Sequence, residues 1–138
     1  MTAQYEQQNK RYLFGIKSSI SKENICGEKC FFDCCETLDE QTFSAYKLLF
    51  RQLQDELVSA ENPAHEYTFI SFVLCTANLD KKLQRKIRQT NDYRQYKKDQ
   101  YGWSALRLCV VDLETETCYC NGMGKGIREY LTRDTDLF

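Results

Sequence analysis

The residues best equipped for chemistry lie between positions 81 and 103. Lys81, Lys82, Arg85, Lys86, Arg88, Arg94, Lys97 and Lys98 put eight cations into eighteen residues against Asp92 alone, a local charge of +7. Tyr93 and Tyr96 are interleaved with them, and Tyr101 and Trp103 follow closely. Cations neutralise phosphates and release counterions, while flat rings stack on bases. The pattern therefore predicts a surface for RNA or single-stranded DNA, with Lys82, Arg85, Lys86, Arg88, Lys97 and Lys98 setting affinity and Tyr96 and Trp103 as anchors. An acidic protein surface is the competing partner, since Lys and Arg on a solvated helix pair equally well with carboxylates. The whole chain carries −1, so the other 120 residues carry −8: the basic segment sits on an acidic body. The pI of 5.9 lies well below the value of about 9 that many nucleic-acid-binding domains exceed. No helix-turn-helix, zinc-finger or RNP spacing is present.

A second candidate is the run Asn121-Gly122-Met123-Gly124-Lys125-Gly126. Glycines after a strand and before a helix can leave backbone N–H groups free to hold a phosphate, so Gly122, Gly124, Lys125 and Gly126 form a weak phosphate-binding candidate. The G-x-G-x-G spacing fits neither a dinucleotide fingerprint nor a Walker loop, where Ser or Thr would follow the lysine. The alternative is a plain turn with positive φ at Gly122 and Gly124.

Cys26, Cys30, Cys34 and Cys35 could be read as metal ligands or redox groups, but they lack the paired spacing of a structural zinc site. No metal and no cofactor are expected. Cys75, Cys109 and Cys120 sit among apolar residues and read as core. Cys118 completes a set of eight, and the even count is no evidence for a disulfide framework in a reducing compartment. His65, the only histidine, stands beside Pro63 without a placed partner. No nucleophile occupies an elbow motif, so no catalytic residue is assigned.

The elements that must position these groups follow from periodicity. Tyr12, Phe14, Ile16 and Ile20 suggest a first strand, a turn spans 21–29, and 30–35 return as a second strand, with a helix as the competing reading there. Thr37 and Glu40 have capping-box spacing, and Phe43, Tyr46, Phe50, Leu53 and Leu57 then make one helical stripe, ended near Ala60 by Asn62 and Pro63. Tyr67–Ala77 is apolar on both parities and reads as a central strand. Asn78 would cap a basic helix with Leu79, Leu83 and Ile87 inward. Ser104–Leu113 and Cys118–Cys120 form a hairpin over a polar bend, which places Cys109 opposite Cys120 if Glu114 and Thr115 are its centre. A last helix begins near Ile127.

The expected architecture is a single compact α+β domain over 1–138, a mixed, mostly antiparallel sheet of about five strands with three helices in the order ββαβαββα. Residues 1–10 are a candidate disordered lead and 134–138 a frayed tail. The absence of a secretory leader predicts a cytoplasmic protein, and no apolar run is long enough for a membrane. The leading expectation is a non-enzymatic binding or regulatory module engaging a nucleic acid or an acidic protein surface, with a homodimer as a further state. The alternative is a small nucleotide- or phosphate-binding enzyme or sensor using Gly122–Gly126.

Overall fold

The computed structural model describes residues 2–10, 12–13, 16–17, 23–58, 60–98 and 100–133. They form an α+β domain with a mixed sheet and three helices. In chain order the elements are β1 (Thr2–Lys10), β2 (Tyr12–Leu13), β3 (Ile16–Lys17), β4 (Glu23–Leu38), α1 (Glu40–Leu57), β5 (His65–Leu79), α2 (Leu83–Gln89), β6 (Tyr93–Gln95), β7 (Trp103–Asp112), β8 (Thr117–Cys120) and α3 (Lys125–Arg133).

The sheet order is β1-β4-β5-β7-β6, with β8 sharing the β7 edge. The three long central strands β4, β5 and β7 run parallel, and β1, β6 and β8 pair antiparallel at the flanks. A parallel strand needs a crossover, and the apolar stripes of α1 and α2 supply the two. Both crossovers advance the chain in the same direction across the sheet, so both helices lie on one face. There Ile70, Phe72, Leu74, Leu106, Leu108 and Val110 meet Phe43, Phe50, Leu83 and Ile87 in the main core. On the opposite face α3 lays Ile127 and Leu131 over Val73, Cys109 and Cys120.

Several boundaries differ from the sequence reading, each for a physical reason. Residues 2–10, expected to lack order, form β1 and pair with Phe31 back to Glu23. That pairing carries β4 through positions 23–29 of the expected turn; 21–22 lie outside the described residues. The first helix is capped by Asp39, whose Oδ1 accepts the Thr42 N–H at 2.8 Å, and not by Thr37, which is still paired in β4. Asn78 likewise remains in β5, and α2 begins later, after Asp80 accepts the Lys82 N–H at 3.0 Å. The β7–β8 hairpin pairs Cys109 with Cys120, as its expected centre requires. The expected tail at 134–138 lies outside the described residues.

Candidate functional site

The structure distributes the basic aromatic segment over three places. The first is α2 and its lead-in, where Leu83 and Ile87 are fully buried and Lys81, Lys82, Arg85, Lys86 and Arg88 are exposed. Lys86 is neutralised by Glu40 of α1 at 2.5 Å, and the Arg88 guanidinium lies 5.6 Å from the centre of the Tyr119 ring. Lys81, Lys82 and Arg85 make no ion pair among the described residues. The second place is the turn between β6 and β7, where exposed Lys97 and Lys98 adopt positive φ and the Lys97 ammonium donates to the Tyr101 hydroxyl. This turn precedes the amino end of β7, whereas α2 starts beyond the carboxyl end of β5, so the two cation groups stand at opposite ends of the strands. Arg94, on the helix-covered face, is ion-paired with Asp55.

The rings are the third place, and they do not share a patch with α2. Tyr96 is only 5% exposed. Its hydroxyl is 2.8 Å from Ser104 Oγ, which also accepts a hydrogen bond from Gln54 at 2.7 Å. It is therefore a core residue and cannot be an anchor; a phenol with a satisfied hydroxyl packs as well as any large apolar side chain. Strand alternation turns Trp103 to the other face of the sheet, where it stacks on Tyr67 with centroids 5.3 Å apart and meets Phe69 and Tyr93. Arg107 lies over Phe69 on the same face and pairs with Glu28 at 3.1 Å; Ser71 donates to the same carboxylate. Sequence reasoning missed this cluster, because Glu28 falls within the expected turn and its partners come from other strands.

The glycine loop is occupied by its own chain. Asn121 is 1% exposed, and its Oδ1 accepts from the backbone N–H groups of Leu108 and Gly124 at 3.0 and 2.8 Å. Its Nδ2 donates to the carbonyls of Thr90 and Leu106 at 3.1 and 2.9 Å. The Gly124 N–H is thus already used. Gly124 is required by close approach, since a Cβ there would stand 2.4 Å from the Leu108 carbonyl oxygen. Neither Gly122 nor Gly124 has positive φ; among described glycines only Gly102 does. Gly122, Lys125 and Gly126 are exposed, and Lys125 opens α3.

Alternation and register put Cys26, Cys30, Cys34, Cys75, Cys109, Cys118 and Cys120 on one sheet face, with Cys35 on the other. All eight are free thiols, and no group of three or more ligating side chains among the described residues could hold a metal ion. Cys109 and Cys120 are buried as core thiols should be, Cys75 is half-buried and Cys34 is exposed. Hydrogen bonding to Cys118 and burial push Cys109 up, while the Cys109 thiol, followed by Arg128, draws Cys118 below the usual thiol range. His65 is structural: its ring nitrogens lie 2.7 Å from the Tyr101 carbonyl and 2.9 Å from the Thr68 hydroxyl.

No helix among the described residues is long and apolar enough to cross a membrane. The profile of a family described as Domain of unknown function (DUF8052) matches residues 1–133. The chain belongs to that family. No curated protein and no solved structure matches it.

Proposed function

We propose that this DUF8052 domain is a non-enzymatic cytoplasmic binding or regulatory module, that its working surface is the cationic side of α2, and that its partner is an acidic patch on another protein. The observation that carries the reading is the state of Lys81, Lys82 and Arg85, which are exposed and without a carboxylate partner among the described residues. Uncompensated cations on one helix attract an anionic surface and steer its approach. Two features favour a protein over a nucleic acid. Of the rings that would stack on bases, Tyr96 is buried in the core and Trp103 lies on the other face of the sheet. The remaining body of the chain is acidic, which opposes a long polyanion more than a compact acidic patch within a Debye length of the helix. Eight free thiols suit a reducing compartment. The nucleotide alternative gains no support from a loop whose Gly124 N–H is bonded to Asn121.

The test is fluorescence anisotropy with a labelled Glu-rich peptide and a labelled single-stranded oligonucleotide of equal charge, at about 50 and 200 mM salt. The peptide should bind in a salt-sensitive way, and reversal of Lys81, Lys82 and Arg85 to Glu should weaken it at least about tenfold. Tighter binding of the oligonucleotide would replace the partner class, and the absence of salt-sensitive binding to either probe would remove the surface. Light scattering on the free protein identifies the case in which the acidic patch belongs to a second copy.

A further inference from the structure

β4 is longer than the strand that covers its outer edge. Its inner edge follows β5 as far as Leu38, whereas β1 lies along the outer edge from Glu23 to Phe31 only. Among the described residues, no strand pairs with the outer edge from Asp33 to Leu38. The Leu38 carbonyl turns inward and accepts the Asp80 N–H at 3.0 Å, so alternation turns the main-chain groups of Asp33, Cys35 and Thr37 outward. A row of this kind is a template for another strand. Beside it, between β4 and α1, lies a cavity of about 150 Å³ whose lining includes Phe31, Asp33, Tyr46, Leu49 and Phe72. An apolar cavity of about that volume takes a benzene-sized group. Leu49 is 42% exposed at its wall, and the Tyr46 hydroxyl donates to Asp33 Oδ2 at 2.7 Å, which ties α1 to the strand edge.

We infer that an extended segment of a partner protein, with apolar and cationic residues in alternation, adds to this edge as a further strand and places one apolar side chain in the cavity. Main-chain hydrogen bonds supply affinity in such additions, and pockets for alternate side chains supply specificity. Both the cavity and the charge of the edge select the side chains. Residues 33–38 contain no Lys or Arg, and exposed Asp33 and Glu36 make no ion pair among the described residues. Asp33 stands on the helix-covered face beside the cavity, and strand alternation puts Glu36 on the opposite face. A strand whose apolar side faces α1 therefore carries its cations toward Glu36. A second copy pairing through the same edge would bring its own Asp33 and Glu36 to the seam, and like charges across a strand pair are destabilising. The surface shares no residue with the cationic side of α2 and goes beyond that reading.

The test uses a labelled peptide in which Lys alternates with Leu and Val, added to the full chain and followed by fluorescence anisotropy and backbone amide NMR. Binding should be saturable, and the amides of Asp33, Cys35 and Thr37 should shift and gain protection from hydrogen exchange. Methylating every second peptide nitrogen should weaken binding at least about tenfold in one phase and leave it unchanged in the other, since only one set of amides faces β4. Replacing the peptide lysines by Glu should weaken binding by at least as much. Leu49→Lys and Glu36→Lys change exposed side chains, so circular dichroism should stay the same while each weakens the peptide at least about tenfold. No saturable binding overturns the inference, as does equal tolerance of both methylation phases or binding that survives both substitutions. A free protein that light scattering finds dimeric, and that Leu49→Lys makes monomeric, overturns it in favour of a second copy. Charge reversal at Lys81, Lys82 and Arg85 should leave peptide binding no weaker, which separates failure here from failure of the α2 surface.

Discussion

At the scale of single residues, Asn121 shows how one side chain can serve two sequence readings while the fold uses a third. Just before Gly122 it reads as turn chemistry or as the lip of a phosphate loop, since Asn and Gly share both contexts. Its use is internal: four hydrogen bonds join the hairpin, the end of α2 and the start of α3. The α2 partner, Thr90, lies 31 residues away, so no local pattern could have revealed it. Truncation would strand buried donors and acceptors at a cost of about 1 to 3 kcal/mol each before relaxation. Asn121→Ala should therefore destabilise the fold by at least about 3 kcal/mol in urea unfolding. A loss near zero would mean that water replaces all four contacts. The thiols give a second expectation. Cys118 is half-buried and drawn below the usual thiol range by the Cys109 thiol, whereas Cys109 is buried and pushed up. The thiolate is the nucleophile. Iodoacetamide followed by peptide mass mapping should modify Cys118 well before Cys109, with a rate that rises at a lower pH than for a free thiol.

At the scale of elements, periodicity located the helical stripe of α1 and the apolar strands β5 and β7, because one buried face imposes a repeat on the residues that form it. It failed where the deciding partner was remote. Thr37 and Glu40 have capping-box spacing, yet β4 holds Thr37 in register with Asn78, and the cap falls to Asp39. Asp39→Ala should thus lower the melting temperature and Thr37→Ala should not, with helix loss followed by circular dichroism. The backbone N–H of Thr42 and then its side chain hold the Asp39 carboxyl below its ordinary value. The contribution of this carboxylate should be complete above the unfolded carboxyl pKa and fade as pH falls through the lowered folded value. Melting curves of wild type and Asp39→Ala should converge as pH falls below the lowered folded value of this carboxyl. Gly102, by contrast, is a backbone requirement at the start of β7. Its φ is +74°, and a Cβ would stand 2.1 Å from the Glu66 carbonyl oxygen. Gly102→Ala should cost at least about 1 to 3 kcal/mol of unfolding free energy.

At the scale of the whole molecule, the lopsided charge and the α+β class were legible in the sequence, whereas the separation of cations from rings was not. Alternation told which residues of a strand share a face, but not that Trp103 faces away from α2; that depends on which side of the sheet the crossovers take. The same asymmetry governs where the fold resists opening. β5 is hydrogen-bonded along both edges, by β4 and β7. Its Ile70, Phe72 and Leu74 are buried under the two helices, and Val73 packs into the α3 cluster. β1 pairs with β4 alone, and β6 contributes three residues at the β7 edge. Amides open with free energies set by the contacts that must be given up, from near zero at frayed edges to the global value at the centre. Hydrogen exchange should therefore be slowest for Ile70–Leu74 and Leu106–Val110, and fastest in β1 and β6. Equal protection of β1 and β5 would mean that the antiparallel flank is as integral to the cooperative unit as the parallel centre.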